Sequence, residues 1–361
     1  MERKPSGPLR RGWTTGACAT AATRAAYTAL LTGEFPDPVA ISLPRGQKPS
    51  FSLARESLGD GEAMAAIVKD AGDDPDVTHG ALVVATVRHG APGSGIAFKA
   101  GEGVGVVTKP GLPLAVGEPA INPSPRRLMA EVIGELARAH GAQADVEIEI
   151  SIPGGAAMAK HTMNGRLGIE GGLSILGTTG IVVPYSCASW IASIHQGIDV
   201  ARAANIGHAV ASTGSTSEAA ARDLYGLPDT ALLDMGDFAG GLLKYLRKHP
   251  ISRVTIAGGF AKIAKLAAGD LDLHSARSRV DIARLADWAE QAGADEDTLA
   301  KIRRAETGAQ ALAHARAAGV ALADRVAEAA RRTARGVAGD GINIEVLIFD
   351  RNGELVGRGE D

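Results

Sequence analysis

Residues 207–218 read Gly-His-Ala-Val-Ala-Ser-Thr-Gly-Ser-Thr-Ser-Glu, which is an apolar run, a turn of small residues and the polar start of a helix. Runs of strand character and runs with helical spacing alternate in this region, at 207–212, 218–224, 231–235, 238–249, 251–257 and 261–268. A series of this kind forms a parallel sheet with right-handed crossovers. The stretch therefore predicts an α/β Rossmann-like domain.

The rest of the C-terminal half extends that domain. An Ala-, Arg- and Asp-rich stretch at about 276–337 predicts a helical segment, and residues 342–350 predict one more strand. We place the domain boundary after residue 195, so that the Rossmann-like domain spans 196–361.

The N-terminal half, residues 1–195, predicts an α+β domain rich in glycine, because short strands outnumber helices there. Thr14 or Thr15 can cap a helix that runs from about residue 17 to residue 31. A hairpin is predicted between 39–43 and 51–54, and a helix is predicted over 124–140.

Length, charge and cysteine content exclude several classes of function. The chain has 361 residues, enough for two domains, and its 38 Lys and Arg against 41 Asp and Glu give a formal net charge of −3. This near balance lacks the positive field of a general nucleic-acid binder, so we expect no nucleic-acid partner. Cys18 and Cys187 lie far apart in sequence, which favours neither a disulfide framework nor a zinc site and fits a reducing cytoplasm.

Residues 171–198 carry no formal charge, but their Ser, Thr, Pro, His and Gln residues make them a poor membrane span. We interpret this stretch as a buried, glycine-rich loop and strand region, and we expect no membrane partner. The nine histidines form no HxxxH or HExxH pair, so we expect no metal ion bound by the protein itself.

The turn after the first strand of the C-terminal series is a candidate nucleotide site. Asp234 ends the next strand, roughly 20 residues after Gly214, and an acid at about that distance accepts hydrogen bonds from ribose hydroxyls. Gly258 and Gly259 follow the third strand at the same predicted edge. A plain turn with a helix cap explains the same residues equally well, because the GxGxxG pattern is absent.

Two further segments carry clustered charge. In Asn122-Pro-Ser-Pro-Arg-Arg127, two cations sit at a predicted helix start, where a bound carboxylate or phosphate would offset their unfavourable position. Solvated arginines, or an ion pair, are the alternative. The segment 69–76 concentrates four carboxylates in a turn, which fits either a polar binding site or a solvated Asx turn.

Several blocks of the chain resemble one family, the cobalt-precorrin-5B C-1 methyltransferases of cobalamin biosynthesis. The blocks are Arg11-Gly-Trp-Thr-Thr-Gly-Ala-Cys-Ala19, Lys69-Asp-Ala-Gly-Asp-Asp-Pro-Asp-Val-Thr78, Gly101-Glu-Gly-Val-Gly105 with Thr108-Lys-Pro-Gly-Leu112, Gly117-Glu-Pro-Ala-Ile-Asn-Pro123, and Gly171-Gly-Leu-Ser-Ile-Leu-Gly-Thr-Thr-Gly-Ile181. They occur in the same order over nearly the whole chain. The clearest departure from the family pattern is Gly259-Phe-Ala-Lys262.

The resemblance implies transfer of a methyl group from S-adenosylmethionine to C-1 of cobalt-precorrin-5B, with cobalt entering only as part of the substrate. We assign the donor to the C-terminal domain, near Thr213, Gly214, Asp234, Gly258 and Gly259. We assign the carboxylate-rich corrinoid macrocycle to the N-terminal domain, near Arg11, Lys109, Arg126 and Arg127, with backbone donors from the turns at Thr14, Thr15, Thr178 and Thr179. Asp70 and Asp73 are assigned to polar contacts at the reacting centre.

Two other functions fit the same residues. A nicotinamide-dependent oxidoreductase would use the same crevice of the C-terminal domain for NAD(P). A non-catalytic corrinoid-binding protein would hold the tetrapyrrole without methylating it. The sequence leaves a homo-oligomer open.

Overall fold

The computed structural model describes residues 7–360, and the chain divides into two compact units, the first ending at Ser186 and the second beginning at Cys187. This division lies before the boundary predicted after residue 195. The reason is a helix over 187–203, whose buried Ile194, Ile198 and Ala201 belong to the core of the second unit.

Unit 1 contains strands and helices that alternate irregularly. They are β1 (Gly12–Trp13), α1 (Thr15–Thr32), β2 (Val39–Ala40), β3 (Ser50–Phe51), β4 (Arg55–Leu58), β5 (Glu62–Val68), β6 (Leu82–His89), β7 (Ile96–Ala100), β8 (Val106–Val107), α2 (Pro123–His140), β9 (Val146–Ser151), α3 (Gly155–Ala159), β10 (Ile169–Glu170) and β11 (Ile181–Val182).

The main sheet of unit 1 has the strand order β4-β5-β6-β9-β7, and all neighbours are antiparallel except β7 and β9. Alternate side chains of its strands, such as Val83, Ala85, Ile148 and Ile150, are buried. They form one core with α1 and α2. Buried and partly exposed side chains alternate along β6 and β9, as expected for a sheet that is covered on one face only.

Helix α1 confirms the capped helix predicted at the N-terminus. The Thr14 side chain accepts a hydrogen bond from the Ala17 N–H at 3.1 Å, and the helix ends at Gly33. Its many alanines are buried, so neighbouring elements can approach it closely. The predicted hairpin is observed as β2 and β3, and the predicted helix over 124–140 is observed as α2.

Unit 2 begins with a helix and then alternates strands with helices. Its elements are α4 (Cys187–Ala203), β12 (His208–Ser212), α5 (Ser215–Tyr225), a 3-10 turn (Asp229–Ala231), β13 (Leu232–Asp234), α6 (Ala239–Leu246), β14 (Arg253–Gly259), α7 (Phe260–Ala267), α8 (Ile282–Gln291), α9 (Glu296–Arg303), α10 (Gly308–Ala317), α11 (Leu322–Ala338), β15 (Asn343–Phe349) and β16 (Leu355–Gly359).

The sheet of unit 2 has the strand order β13-β12-β14-β15-β16. The first four strands in that order are parallel, as the sequence predicts, whereas β16 is antiparallel and was not predicted. Helix α5 covers one face, and α4, α6, α7 and α11 contribute to the core on the other. The predicted helical segment is observed as the four helices α8 to α11.

The interpretation of 171–198 as loop and strand is wrong for its second half, which forms most of α4. The spacing of Ile194, Ile198 and Ala201 places one apolar stripe of this helix against the core. Among residues 7–360, no helix combines the length and the apolar character that crossing a membrane requires.

Candidate functional site

The carboxyl ends of β12, β13 and β14 meet at one edge of the unit 2 sheet. Ser212 pairs with Asp234 on one side and with Ala257 on the other, so the turns that follow these strands are adjacent. The structure therefore brings together the residues that the sequence assigned to the donor, namely Thr213, Gly214, Asp234, Gly258 and Gly259. Ligands of open parallel sheets bind at this edge, where the chain leaves neighbouring strands in opposite directions.

The turns after β12 and β14 are in close contact. The Thr213 N–H donates to the Ala257 carbonyl at 2.9 Å, and a Cβ on Gly258 would lie only 2.7 Å from Thr213 Oγ1. Only glycine fits at position 258 without a shift of its neighbours. Residue 258 is thus required by packing within the protein, whatever binds above it.

Lys262 links three segments of this edge, although the sequence predicts no role for it. Its Nζ donates to the Thr213 carbonyl at 2.7 Å and lies 3.0 Å from Asp237 Oδ1. It belongs to the segment that departs from the family pattern, which was the one available signal. Lys262 holds the turn after β12 and adds a positive charge at the start of α7.

The starts of α5 and α7 lie open at the same edge. Their N-cap residues, Gly214 and Gly259, make no side-chain cap hydrogen bond, and a Cβ on either glycine would meet nothing within 4 Å. Helix starts favour anions, but Glu218 in the first turn of α5 is itself an anion. The start of α7 has no acid in its first turn and is therefore the better place for a ligand carboxylate.

Asp234 ends β13 and is half-buried. Its carbonyl accepts a hydrogen bond from the indole of Trp190 at 3.1 Å, while the N–H groups of Met235 and Gly236 donate to Ser212 O at 2.9 and 3.1 Å. These bonds fix the turn after β13 next to the turn after β12. Trp190 lies in the stretch that the sequence predicts to be loop and strand, so no role was expected for it.

In unit 1, the acidic turn has a structural role. Asp70 binds the Arg10 guanidinium through both carboxylate oxygens and accepts from the Gly72 N–H at 2.9 Å. The hydrogen bond from Arg10, followed by that from Gly72, lowers the pKa of Asp70 to about 2. A carboxylate of such low pKa is a weak base at neutral pH.

Asp73 also binds the segment before β1. Its Oδ2 accepts from the Arg10 N–H at 2.6 Å, and its own N–H donates to the Arg10 carbonyl at 3.0 Å. Asp74 accepts from the Tyr185 N–H at 2.8 Å, and Asp76 pairs with the buried Lys69. The assignment of Asp70 and Asp73 to the reacting centre is therefore not supported, since these carboxylates hold protein segments together.

The two threonine turns of unit 1 do lie next to each other. The Thr14 N–H donates to Gly180 O at 3.0 Å, and the Gly16 N–H donates to Leu176 O at 3.1 Å. These two backbone donors are therefore used within the protein, contrary to their expected role toward a ligand. Thr15 is buried and Thr179 bonds the Ile181 carbonyl, so Thr178 is the exposed member of the group.

The predicted cations of unit 1 differ in their surroundings. Arg126 donates to Ile121 O at 2.8 Å, to Glu118 at 2.7 Å and to Pro119 O at 3.0 Å, so its guanidinium fixes the loop before α2 instead of facing a ligand. Of the four predicted cations, Arg126 is therefore the one whose assigned role toward the macrocycle is not supported.

The other three cations are more open to solvent. Arg127 is exposed, with Glu131 at 3.7 Å, as in the solvated alternative. Arg11 is exposed and Lys109 is half-buried. Within residues 7–360, no group of three His, Cys, Asp or Glu side chains is arranged to hold a metal ion.

The two units define a two-domain α/β protein whose second unit presents glycine turns and two helix starts at the carboxyl edge of a mostly parallel sheet. The chain belongs to the CbiD family: the family model described as CbiD matches residues 2–184, and the model described as CbiD, C-terminal domain matches residues 272–360. The resemblance found in the sequence is thereby confirmed.

Relatives of this chain match it over nearly its full length. A Brucella anthropi protein named cobalt-precorrin-5B C(1)-methyltransferase is 59% identical and covers 97% of this chain and 95% of its own. Proteins of the same name from Bradyrhizobium and Paramagnetospirillum magneticum are 59% and 58% identical, each over 97% of this chain and over 94% and 98% of their own. A crystal structure of the cobalamin biosynthesis protein CbiD from Archaeoglobus fulgidus is 26% identical, covers 87% of this chain and 86% of its own, and gives a TM-score of 0.40.

Proposed function

We propose that this chain is a cobalt-precorrin-5B C(1)-methyltransferase of cobalamin biosynthesis. In this reaction a methyl group passes from S-adenosylmethionine to C-1 of the corrinoid cobalt-precorrin-5B, which becomes cobalt-precorrin-6A. The observation that carries the proposal is the 58–59% identity to proteins of that name over 97% of this chain. It supports the methyltransferase over the oxidoreductase and over a non-catalytic corrinoid-binding protein.

The carboxyl edge of unit 2 supports an adenosyl donor, as expected if this unit is Rossmann-like. The space above Gly214 and Gly259 allows a ligand to approach the backbone, and the start of α7 suits a carboxylate such as that of the methionine group. The Asp234 carboxylate would accept hydrogen bonds from the ribose hydroxyls. Lys262 would support this site indirectly, because its Nζ donates to the Thr213 carbonyl and pairs with Asp237 and so holds the turn after β12 in place.

The chemistry asks mainly for placement. S-adenosylmethionine supplies a methyl group that is already electrophilic, and the conjugated macrocycle supplies the carbon that attacks it. The residues of the protein then need to hold both molecules in line, about 3–3.5 Å apart at the reacting atoms, and to exclude water. This requirement explains why the proposed site contains turns and helix starts and needs no covalent nucleophile.

Unit 1 is proposed to hold the macrocycle. The acetate and propionate groups of the macrocycle attract cations. Arg11, Lys109 and Arg127 are exposed or half-buried side chains that can reach a ligand. Thr178 can add a hydroxyl. Arg126, Asp70 and Asp73 are left out of this proposal, because their polar atoms bind protein groups.

An anaerobic assay with both substrates tests the proposed reaction. The full chain, supplied with cobalt-precorrin-5B and S-adenosylmethionine carrying a CD3 group on its sulfur, should give a corrinoid that contains one additional CD3 group, with S-adenosylhomocysteine as the second product. A corrinoid of unchanged mass that stays bound to the protein would instead support the non-catalytic alternative. Calorimetric titrations with NAD(P) and with S-adenosylhomocysteine are run in parallel. Binding of NAD(P) without binding of S-adenosylhomocysteine would support the oxidoreductase.

A further inference from the structure

Trp190 is an exposed aromatic residue at the carboxyl edge of unit 2, with 47% of its surface accessible. The other two tryptophans are half-buried: Trp13 packs against Phe51, and Trp288 packs against the core of unit 2. Burying an indole is strongly favourable, so the protein forgoes that gain at Trp190. Exposure alone is common for single apolar residues and decides nothing by itself.

The ring of Trp190 is held in place from two sides. Its indole N–H donates to the Asp234 carbonyl at 3.1 Å. A Cβ on Gly236 would lie 3.3–3.4 Å from the edge atoms of the indole, and Gly236 has a φ of +56°, which side chains rarely adopt. Phe238 adds a tilted ring with its centroid 6.3 Å away. The indole ring of Trp190 is therefore oriented before a ligand arrives, which lowers the entropic cost of binding.

The location of the ring relates it to one part of the proposed donor. Asp234 is the residue we place at the ribose hydroxyls, and the indole is bonded to the backbone of that same residue. In adenosine the base is attached directly to the ribose. The glycine turns and the start of α7 belong to β12 and β14, whereas α4, the helix that carries Trp190, packs against β13 at the end of the strand order β13-β12-β14. A donor with its carboxylate at the start of α7 and its ribose at Asp234 would thus extend its base toward Trp190.

We propose that Trp190 is the surface on which the adenine of the methyl donor stacks. The proposal rests on the proposed function and names the residue that recognises the base at that same site. Bases stack on aromatic side chains through their π-faces, and the Asp234 carboxylate fixes the ribose beside them. Because adenine is unchanged by methyl transfer, the stack contributes equally to the donor and to S-adenosylhomocysteine. Loss of the ring should therefore raise KM for the donor more than it lowers kcat.

Titration of the full chain with S-adenosylhomocysteine and with adenosine tests this role. Wild-type protein should bind both, and S-adenosylhomocysteine should change the indole fluorescence. Trp190→Ala should lower the affinity for both ligands about tenfold or more. Trp190→Phe should keep the affinity within a few fold in calorimetry, since a ring remains, but should lose most of the fluorescence change. Leu224→Ala, which removes another exposed apolar side chain of unit 2, should leave both affinities unchanged.

The outcomes separate this inference from the proposed function. Equal affinity of wild type and Trp190→Ala, or a full fluorescence change in Trp190→Phe, overturns the stacking role and leaves the methyltransferase intact. A wild-type protein that binds no S-adenosylhomocysteine overturns both. If Trp190→Ala does not fold, the fluorescence comparison with Trp190→Phe still decides.

Discussion

Asp234 is the residue whose charge should matter most for donor affinity. Asp234→Asn keeps the size of the side chain but replaces charge-assisted hydrogen bonds to the ribose with neutral ones. We expect the affinity for S-adenosylhomocysteine to fall about tenfold, or roughly 1–2 kcal/mol, in calorimetric titration.

Asp223→Asn is the matched control, because Asp223 lies on α5, away from the carboxyl edge, and pairs there with Arg222 at 3.2 Å. It should leave the donor affinity unchanged. An equal loss in both variants would indicate a general charge effect and remove Asp234 from the proposed site.

Glu345 is a buried carboxylate of unit 2 that accepts hydrogen bonds from four side chains. Its side chain is 2% exposed and accepts from Thr255 Oγ1 at 2.6 Å, Tyr225 OH at 2.7 Å, Arg253 at 3.0 Å and Arg358 at 2.7 Å. Burial would raise the pKa of Glu345, but these hydrogen bonds outweigh it and lower that pKa from 4.5 to about 2.

The stabilisation from Glu345 is therefore fully present above pH 4.5 and is lost as the pH falls toward 2. Glu345→Gln should reduce the free energy of unfolding by roughly 2–4 kcal/mol at neutral pH, because two arginines lose their carboxylate. Urea unfolding of both proteins at several pH values measures this difference. A difference that stays constant down to acid pH would contradict it.

The carboxylates of the acidic turn show why residue roles in unit 1 were hard to predict. Four of them occur within 70–76, a pattern that a ligand site and a folded turn share. The partners of two of them are remote in sequence: Arg10 is 60 residues from Asp70, and Tyr185 is 111 residues from Asp74. Local spacing contains no information on such pairings, so only the fold reveals that these charges are used internally.

At the scale of elements, two neighbouring glycines before α7 have different roles: Gly258 is needed for packing, whereas Gly259 leaves space for a ligand. Gly258→Ala places a methyl group 2.7 Å from Thr213 Oγ1 and 2.9 Å from Ile263 Cδ1, so it should destabilise the protein by roughly 1–3 kcal/mol in thermal or urea unfolding. Gly259→Ala meets nothing within 4 Å and has an ordinary φ of −75°, so its stability should match that of wild type.

For Gly259→Ala we expect a change in donor affinity instead of a change in stability. Its new methyl group would enter the open space where the ligand is proposed to approach the backbone, so Gly259→Ala should bind S-adenosylhomocysteine several-fold more weakly at unchanged stability. Unchanged affinity would place the ligand away from the start of α7.

The elements of unit 2 from 207 to 268 could be predicted because apolar strands and amphipathic helices alternate there with turns of small residues. The residues assigned to the donor lie at the carboxyl ends of these strands and were predicted from the same pattern, and their role in binding stays a prediction. Helix α4 could not be predicted in this way, although Ile194, Ile198 and Ala201 have helical spacing. Most of that stretch has no charged residues, so the contrast between a polar and an apolar face is weak.

At the scale of the whole molecule, each unit has a hydrophobic core built from its own residues. All residues proposed for the donor, including Trp190, lie in unit 2. Residues 187–361 produced alone should therefore fold cooperatively and bind S-adenosylhomocysteine with an affinity within about tenfold of the full chain. Calorimetry and thermal unfolding check this. Donor binding by residues 1–186 alone would contradict the assignment.

The strands of unit 2 carry different chemistry at their two ends. Glu345 and Thr255 lie near the amino ends of β15 and β14, whereas the glycine turns lie at the carboxyl ends. Directed evolution confined to the turns at 213–214, 234–238 and 258–259 would thus leave the ionic network untouched. If Gly258 is kept as glycine, such libraries offer a route to variants that accept donor analogues with bulkier transferable alkyl groups.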